Sequence, residues 1–356
     1  MPVQPVGRVE PHAGGPERFV TEAPLRIASL GTSSIAARRT IPAISAAPDA
    51  VLVAVAGRDR DRVAQYAENV GAEALVGYES VLARDDIDAV YVPLPNALHH
   101  HWIEACLESG KHVLAEKPLT TSAGATAALV DLAAARGLVL QENFAFLRHG
   151  QHRTVRALVN EGRIGELRHF HSEFCFPPLA ADDVRYRADL GGGALLDVGV
   201  YTVRAAQYFL GDALTVAGAV LDTDSTTGVD LAGSALLVSD DGVIANLSFG
   251  FRHAYGSRYG LWGSGARLTL DRAFTPAPEA RPVIRIEEQD HIEETLLAAE
   301  HQFANAVAAF VAAVRAAESG NPAPDRPGDA ASTVRTAELI EQIAQHARRV
   351  RTPVSV

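Results

Sequence analysis

Short aliphatic runs alternate with longer amphipathic stretches over the first part of the chain. Leu25–Leu30, Val51–Ala56, Ala89–Val92, His112–Ala115 and Leu138–Gln141 read as buried strands. Ile35–Ala47, Asp61–Val70, His99–Ser109 and Ser122–Arg136, lying between them, repeat apolar residues at helical spacing. Strand and helix in strict alternation predict βαβ units with right-handed crossovers. Beyond about Phe146 the apolar runs lengthen and alternate with polar residues, in Arg168–Phe176, Leu231–Ser239 and Val243–Phe251. A two-residue period of that kind predicts antiparallel strands with one face covered. Two late segments, His301–Ala317 and Ala330–Arg348, read as helices, and the Pro/Gly-rich Asn321–Asp329 stretch between them reads as a linker.

The pattern therefore predicts two domains, which a chain of 356 residues can supply with a core each. Residues 24–146 should form an α/β Rossmann domain, a doubly wound parallel sheet. Residues 147–356 should form an α+β domain built on a large, mostly antiparallel open sheet. Residues 1–23 mix proline, glycine and charge without the apolar run of a secretory signal, so they read as a flexible lead-in. No internal repeat is evident.

Charge narrows the choice of partner. The balance of 32 basic and 43 acidic residues, net −11, opposes a phosphate backbone or an anionic membrane, and no run of about 18 apolar residues offers a span. Only Cys106 and Cys175 occur, far apart and without C-x-x-C spacing, which suits a structural role in a reducing cytoplasm. Arginine has almost replaced lysine. Lys111 and Lys117 are the two lysines of the chain, and each is conspicuous for that.

The turn after the first strand reads Gly31-Thr32-Ser33-Ser34-Ile35-Ala36, a G-x-S-x-x-A variant of the dinucleotide fingerprint. Gly31 permits the tight turn, and the helix start beyond it offers N–H groups to a pyrophosphate; Ser33 stands where the second glycine would let the phosphates approach. An ordinary serine-capped turn is the alternative. At the end of the second strand, Gly57-Arg58-Asp59-Arg60 puts a guanidinium where a 2′-phosphate would lie, which favours NADP(H). A solvated Arg58 with Asp59 serving NAD is the other reading.

Two constellations carry the chemistry. The strand His112–Ala115 runs into Glu116-Lys117-Pro118 at the carboxyl edge of the sheet, where open α/β folds bind ligands. Lys117 can polarise a carbonyl or hold a sugar hydroxyl there; a surface turn with an incidental ion pair is the bland alternative. In Gly191-Gly192-Gly193-Ala194-Leu195-Leu196-Asp197-Val198-Gly199-Val200-Tyr201, a helix starting near Ala194 would put Asp197 and Tyr201 on one face. Tyr201 could protonate an alkoxide, with its pKa lowered if Lys117 lies near, whereas a capping aspartate and a packed tyrosine need no function. Arg148 and His149 could contact a sugar or its diphosphate, or form an exposed turn. The run His99-His100-His101 faces three directions on a helix and lacks Cys or Asp partners, so no metal site is expected.

These motifs, together with Pro95-Asn96-Ala97-Leu98-His99, resemble the glucose-fructose oxidoreductase/inositol dehydrogenase/MocA (Gfo/Idh/MocA) family over roughly Leu25 to Arg348. The resemblance implies a nicotinamide cofactor, hydride transfer at a sugar or polyol carbon, and dimers or tetramers joined through the open sheet. It implies that Gly31, Thr32, Ser33, Ser34, Ile35, Arg58, Tyr78, Leu94, Asn96, His99, Glu116 and Lys117 surround the cofactor. It likewise puts Lys117, Phe146, Arg148, His149, Arg185, Asp197 and Tyr201 about the substrate, the catalytic group being Lys117, Asp197 and Tyr201. Many members have histidine where this chain has Tyr201. That tyrosine, with Phe174–Pro178 and Arg185–Gly193, resembles the nucleotide-sugar 3-ketoreductases, which implies NADPH-dependent reduction of the C-3 ketone of a dTDP-linked keto-deoxysugar. An NADP-linked aldose or dihydrodiol dehydrogenase is the related alternative. A non-catalytic NAD(P)-sensing regulator is the alternative of another class.

Overall fold

The computed structural model describes residues 23–320 and 330–352; the expected lead-in, Ala23 excepted, and the Asn321–Asp329 linker lie outside it. The first part runs β1 (Leu25–Leu30), α1 (Ser34–Arg38), α2 (Thr40–Ala46), β2 (Ala50–Gly57), α3 (Arg60–Val70), β3 (Glu73–Val76), α4 (Glu79–Leu82), β4 (Ala89–Val92), α5 (Asn96–Glu108), β5 (His112–Ala115), α6 (Ala123–Ala135) and β6 (Leu140–Glu142). The strands form a six-stranded parallel sheet in the order β3-β2-β1-β4-β5-β6. Every residue of β4 and β5 is buried, as parallel strands covered on both faces must be.

One helix expected over Ile35–Ala47 is two. The chain breaks at Arg39, with φ −129° and ψ −76°, between α1 and α2. Pro42 explains it: in an unbroken helix its ring would clash with the Arg38 carbonyl, whereas three residues into a new helix it costs no hydrogen bond. The turn that opens α1 is therefore followed by a single short helical turn rather than a long dipole.

The second part runs α7 (Gly150–Asn160), β7 (Leu167–Cys175), α8 (Val200–Leu210), β8 (Leu214–Asp224), β9 (Asp230–Ser239), β10 (Ile244–Gly250), β11 (Gly256–Gly263), β12 (Arg267–Asp271), β13 (Val283–Glu287), β14 (Ile292–Leu296), α9 (Gln302–Glu318), α10 (Ala330–His346) and β15 (Ala347–Thr352). Its strands make a nine-stranded sheet, β14-β13-β12-β11-β7-β10-β9-β8-β15, antiparallel except for the β7/β10 and β8/β15 pairs. The apolar face of this sheet packs on α8 and α10 through residues such as Phe170, Leu247, Phe249, Leu261, Val203 and Leu339. The helix expected to reach Arg348 ends at His346, because the following residues are recruited as a parallel edge strand against β8.

Packing does not respect the division at residue 146. Val307, Phe310, Val311 and Val314 of α9 are buried with Ile27, Tyr91 and Leu114 of the parallel sheet, so this late helix completes the first core rather than the second. The 147–356 span is thus not one packing unit, a point invisible in sequence order.

Candidate active site

Topology brings the carboxyl ends of the parallel strands to one end of the nine-stranded sheet. β7 and β10 run parallel and finish there, β11 begins there, and β12 ends opposite Arg258. Strand β5 delivers Glu116-Lys117-Pro118 to this junction, with the Lys117–Pro118 peptide cis. Glu116 Oε1 accepts from the Tyr91 hydroxyl at 2.7 Å and from Asn143 Nδ2 at 2.8 Å. His99 is fully buried on α5, its ring nitrogens 2.8 and 2.7 Å from the carbonyl oxygens of Pro118 and Leu94. The imidazole thus ties the turns after β4 and β5 together, and burial pushes its pKa below the ordinary histidine value.

Lys117 Nζ donates to the Asp197 backbone carbonyl and to Asp197 Oδ1, both at 2.8 Å. From the other side Arg185 Nε donates to Asp197 Oδ2 at 2.6 Å, and its NH1 reaches Asp183 Oδ1 at 3.1 Å. Burial alone would raise the Asp197 pKa, but the Lys117 ammonium and the Arg185 guanidinium outweigh it and hold the carboxyl at about 2. With the folded value below the unfolded one, the stability this pair contributes is present above the unfolded pKa of 3.8 and is lost as pH falls through about 2. Arg185 spends its charge on this clamp rather than offering a free contact to substrate.

The helix bearing Asp197 and Tyr201 begins irregularly, with a π-helical turn over Leu195–Gly199 leading into α8. A single π turn widens the helix and re-aims the side chains around it. Asp230, far away in sequence on β9, caps this start by accepting Leu195 N–H at 2.6 Å. Gly193 adopts φ +123°, and a Cβ there would stand 2.3 Å from Asp230 Oδ1, so glycine is demanded both by backbone and by the capping carboxylate.

Tyr201 sits in a box of phenylalanine rings, with Phe144, Phe146, Phe174 and Phe274 at centroid distances of 5.6, 5.8, 5.1 and 5.6 Å. Lys117 Nζ lies over its ring, 5.2 Å from the centroid. The expected lowering of the tyrosine pKa is reversed. Burial pushes it well above 10, Glu116, Asp197 and Glu142 add to the rise, and the ammonium stands against the ring face with two of its N–H groups donated to Asp197. The hydroxyl accordingly keeps its proton at neutral pH and has no hydrogen-bond partner among the described residues, so it is free for a ligand.

Phe146 is 1% exposed and serves as a wall behind Tyr201 rather than a substrate contact. His149, also 1% exposed, caps α7 through Nδ1, which accepts Gln151 N–H at 3.1 Å, so the expected substrate contact gives way to a helix cap. Arg148 is half-buried, and its carbonyl accepts from Asn305 at 3.0 Å. Asn96 donates to the Gly191 carbonyl at 2.8 Å, joining α5 to the glycine-rich turn.

The first turn has the shape expected of a nucleotide site. Gly31 takes φ +91°, and a Cβ there would meet Leu94 Cδ2 at 2.8 Å with the Tyr78 hydroxyl 3.9 Å away. Ser33 caps α1 through Ala36 N–H at 3.4 Å, and its carbonyl accepts the Tyr66 hydroxyl at 2.8 Å. Thr32 lies half-buried beside it, while Ser34 and Ile35 are exposed. Asp59 caps α3 by accepting Arg62 N–H at 2.9 Å, whereas Arg58 is exposed and has no ion-pair partner among the described residues. The cation is therefore the available group at the end of β2, and the residues present fit a 2′-phosphorylated dinucleotide.

Asp230, Phe144 and Phe274 were not legible as site residues, since each reaches the site through a contact between segments that nothing in its local pattern marks; Phe146 and Phe174 were singled out in the sequence, but not as walls around Tyr201.

The oxidoreductase family with an NAD-binding Rossmann fold (Gfo/Idh/MocA) matches residues 25–144, and the Gfo/Idh/MocA C-terminal domain matches residues 152–269. A dTDP-3,4-didehydro-2,6-dideoxy-alpha-D-glucose 3-reductase from Saccharopolyspora spinosa is 50% identical over 327 residues, 92% of this chain and 98% of that one. An NADP(+)-dependent D-xylose 1-dehydrogenase from Haloferax volcanii is 35% identical over 318 residues, 89% of this chain and 96% of the other. The crystal structure of a 3-ketoreductase from Actinomadura kijaniata, in complex with NADP and TDP-benzene, superposes with a TM-score of 0.89 at 45% identity, covering 93% of this chain and all of that one.

Proposed function

From its membership of the Gfo/Idh/MocA oxidoreductase family, we propose that this chain uses NADPH to reduce the C-3 ketone of a dTDP-linked 3,4-diketo-2,6-dideoxyhexose. The observation that carries the reading is the Lys117–Asp197–Tyr201 group: a fixed ammonium on a clamped carboxylate, beside a phenol that keeps its proton. We take residues 24–146, joined by α9, as the cofactor domain and the nine-stranded sheet with α8 and α10 as the substrate domain.

Gly31 and Leu94 would hold the pyrophosphate turn, Ser34 and Ile35 its outer side, and Arg58 the 2′-phosphate. Bound NADPH supplies the hydride that reaches C-3. Tyr201 gives its proton to the oxygen that becomes the hydroxyl, so ketone, hydride and proton balance to alcohol. Lys117 holds that oxygen by a hydrogen bond and its charge, while Asp197 and Arg185 hold Lys117. The phenylalanine box excludes water from the tyrosine.

Purified protein given freshly generated dTDP-3,4-diketo-2,6-dideoxyglucose should consume NADPH, followed by absorbance, and should do so poorly with free sugars. Turnover confined to free sugars or diols would favour the aldose or dihydrodiol dehydrogenase reading, to which the 35% identity with the D-xylose enzyme lends support. Cofactor binding without turnover on any of these would favour a sensor, a role for which the Lys117–Tyr201 group would be superfluous.

Arg58→Ala should raise the KM for NADPH by about 10- to 100-fold, the loss of a charge-assisted phosphate contact, and change NADH use by less than about twofold. An equal rise with both cofactors would remove Arg58 from the 2′-phosphate.

The outer face of the nine-stranded sheet carries Trp262, Ile244, Leu236 and Val220, each exposed by 38% to 56%. Ile244 and Trp262 share a cross-strand row with His169, and a second copy packing sheet to sheet would cover them, giving a dimer or a tetramer. Cys106 and Cys175 are unpaired and buried, and no described helix is long and apolar enough to cross a membrane; these fit work in the cytoplasm.

A further inference from the structure

Beyond the Lys117 turn lies a polar network that the proposed reaction does not use. Glu142 closes β6, and its Oε1 accepts the Leu119 N–H at 2.8 Å, two residues past Lys117. Its Oε2 is shielded from solvent and has no hydrogen-bond partner among the described residues. A cavity of about 20 Å³, large enough for one water, adjoins it and is lined by Glu142, Thr120, Thr126, Leu196, Thr333 and Thr336. Leu196 flanks Asp197, and Thr333 and Thr336 belong to α10, so three separate elements meet at this carboxyl.

The network continues on α8. Arg204, 3% exposed, donates from NH1 to Thr336 Oγ1 at 3.0 Å and stacks on Phe144, one wall of the tyrosine box. Thr336 in turn donates to Gln207 at 2.6 Å. A buried carboxyl with one oxygen on the lysine turn and the other beside a cavity of hydroxyls is costly to keep unless its state matters.

We propose that Glu142 is a positioning residue: its carboxyl latches the Lys117–Leu119 turn to α10 and, through a water in the adjoining cavity, changes its grip on that turn as it gains or loses a proton. The proposal rests on the ketoreductase reading only for its kinetic arm. Burial pushes the Glu142 pKa up to about 7, against the opposing pull of Arg204 on α8, Leu119 N–H, Thr333 on α10 and Lys117. Tyr201 feels the same carboxyl, as one of several groups that raise its own pKa. The switch therefore falls within the working pH range. Ionised, the carboxylate accepts from the turn at Oε1 and, through the cavity water, reaches Thr333 with Oε2; protonated, it loses acceptor strength and the turn loosens.

The test is the pH profile of kcat between pH 5.5 and 8.5, with Glu142→Gln as an uncharged mimic of the protonated carboxyl. The wild-type protein should gain about threefold to tenfold across a limb centred near 7, as one charge-assisted hydrogen bond strengthens, and Glu142→Gln should stay at the lower plateau without the limb. Thr333→Val should move the limb to higher pH without abolishing it, an effect that a purely structural residue would not produce. An unchanged limb in Glu142→Gln would overturn the proposal.

A second arm needs no substrate, so it separates failure of this inference from failure of the proposed function. Because the folded pKa lies above the unfolded 4.5, stability contributed by protonated Glu142 is full below 4.5 and is lost as pH rises to about 7. The Tm of the wild-type protein should therefore fall relative to Glu142→Gln over that window and run parallel to it above. A difference independent of pH would mean that Glu142 does not titrate there, and would sink the latch.

Discussion

Replacing Tyr201 by phenylalanine should lower kcat for ketone reduction roughly a hundredfold to ten-thousandfold, the range of a lost general acid. The dissociation constant for NADPH should stay within about twofold, since the phenol acts only on the developing alkoxide. The structure makes this substitution unusually clean. The hydroxyl bonds to nothing among the described residues, so its removal strands no buried partner. The ring keeps its four phenylalanine neighbours and the Lys117 ammonium above its face. Thermal stability should accordingly change little, and any kinetic loss belongs to the proton. Fluorescence titration with NADPH beside single-turnover kinetics separates the two terms. If single turnover runs at the wild-type rate, the proton comes from elsewhere and Tyr201 is only part of the aromatic wall.

The raised tyrosine pKa bears on how the acid works. A phenol beside a lysine invites the assumption of an easily lost proton. Here burial and the carboxylates of Glu116, Asp197 and Glu142 dominate, and two of the ammonium's N–H groups are held by Asp197. Such a phenol holds its proton until negative charge develops on the substrate oxygen beside it. Substrate charge, rather than a resting low pKa, would then draw the proton across.

How far the chain could be read before folding depends on whether the cause was local. Strands β1, β4 and β5 coincide with the expected spans because each is a short apolar run buried on both faces. β3 was missed: it is a four-residue edge strand with three residues exposed, and its apolar run Ala74–Val76, between Glu73 and Gly77, is too short to stand out. The division of the first helix turns on Pro42, a local signal that apolar periodicity alone overrides. β15 is decided by the free edge of β8, which no local pattern reveals. In the site, Lys117, Asp197 and Tyr201 stood out by motif and spacing, and the fold brings them together. The clamp by Arg185, the cap by Asp230 and the latch by Glu142 depend on contacts between distant segments. His149 is instructive in the other direction, since a histidine beside an arginine after a strand looks available, and only its helix cap and its burial remove it from the surface.

Lys117→Met should lower kcat about a hundredfold to a thousandfold, the cost of removing one fixed donor from a developing oxyanion. Part of the effect should appear as instability, because Asp197 would keep Arg185 alone and its carboxyl, now less opposed, would rise from about 2. Acid unfolding of the variant should therefore begin at higher pH than in the wild-type protein, which circular dichroism during acid titration would read. Lys117→Arg should rescue little. The ammonium makes two 2.8 Å contacts to the carbonyl and carboxylate of one residue, and a planar guanidinium on a longer stem cannot occupy that position without displacing Arg185. Combining Lys117→Met with Asp197→Asn separates charge from geometry. If Asp197 acts by holding the lysine, the double variant should lose little more than Lys117→Met alone; losses that multiply would make Asp197 an independent contributor.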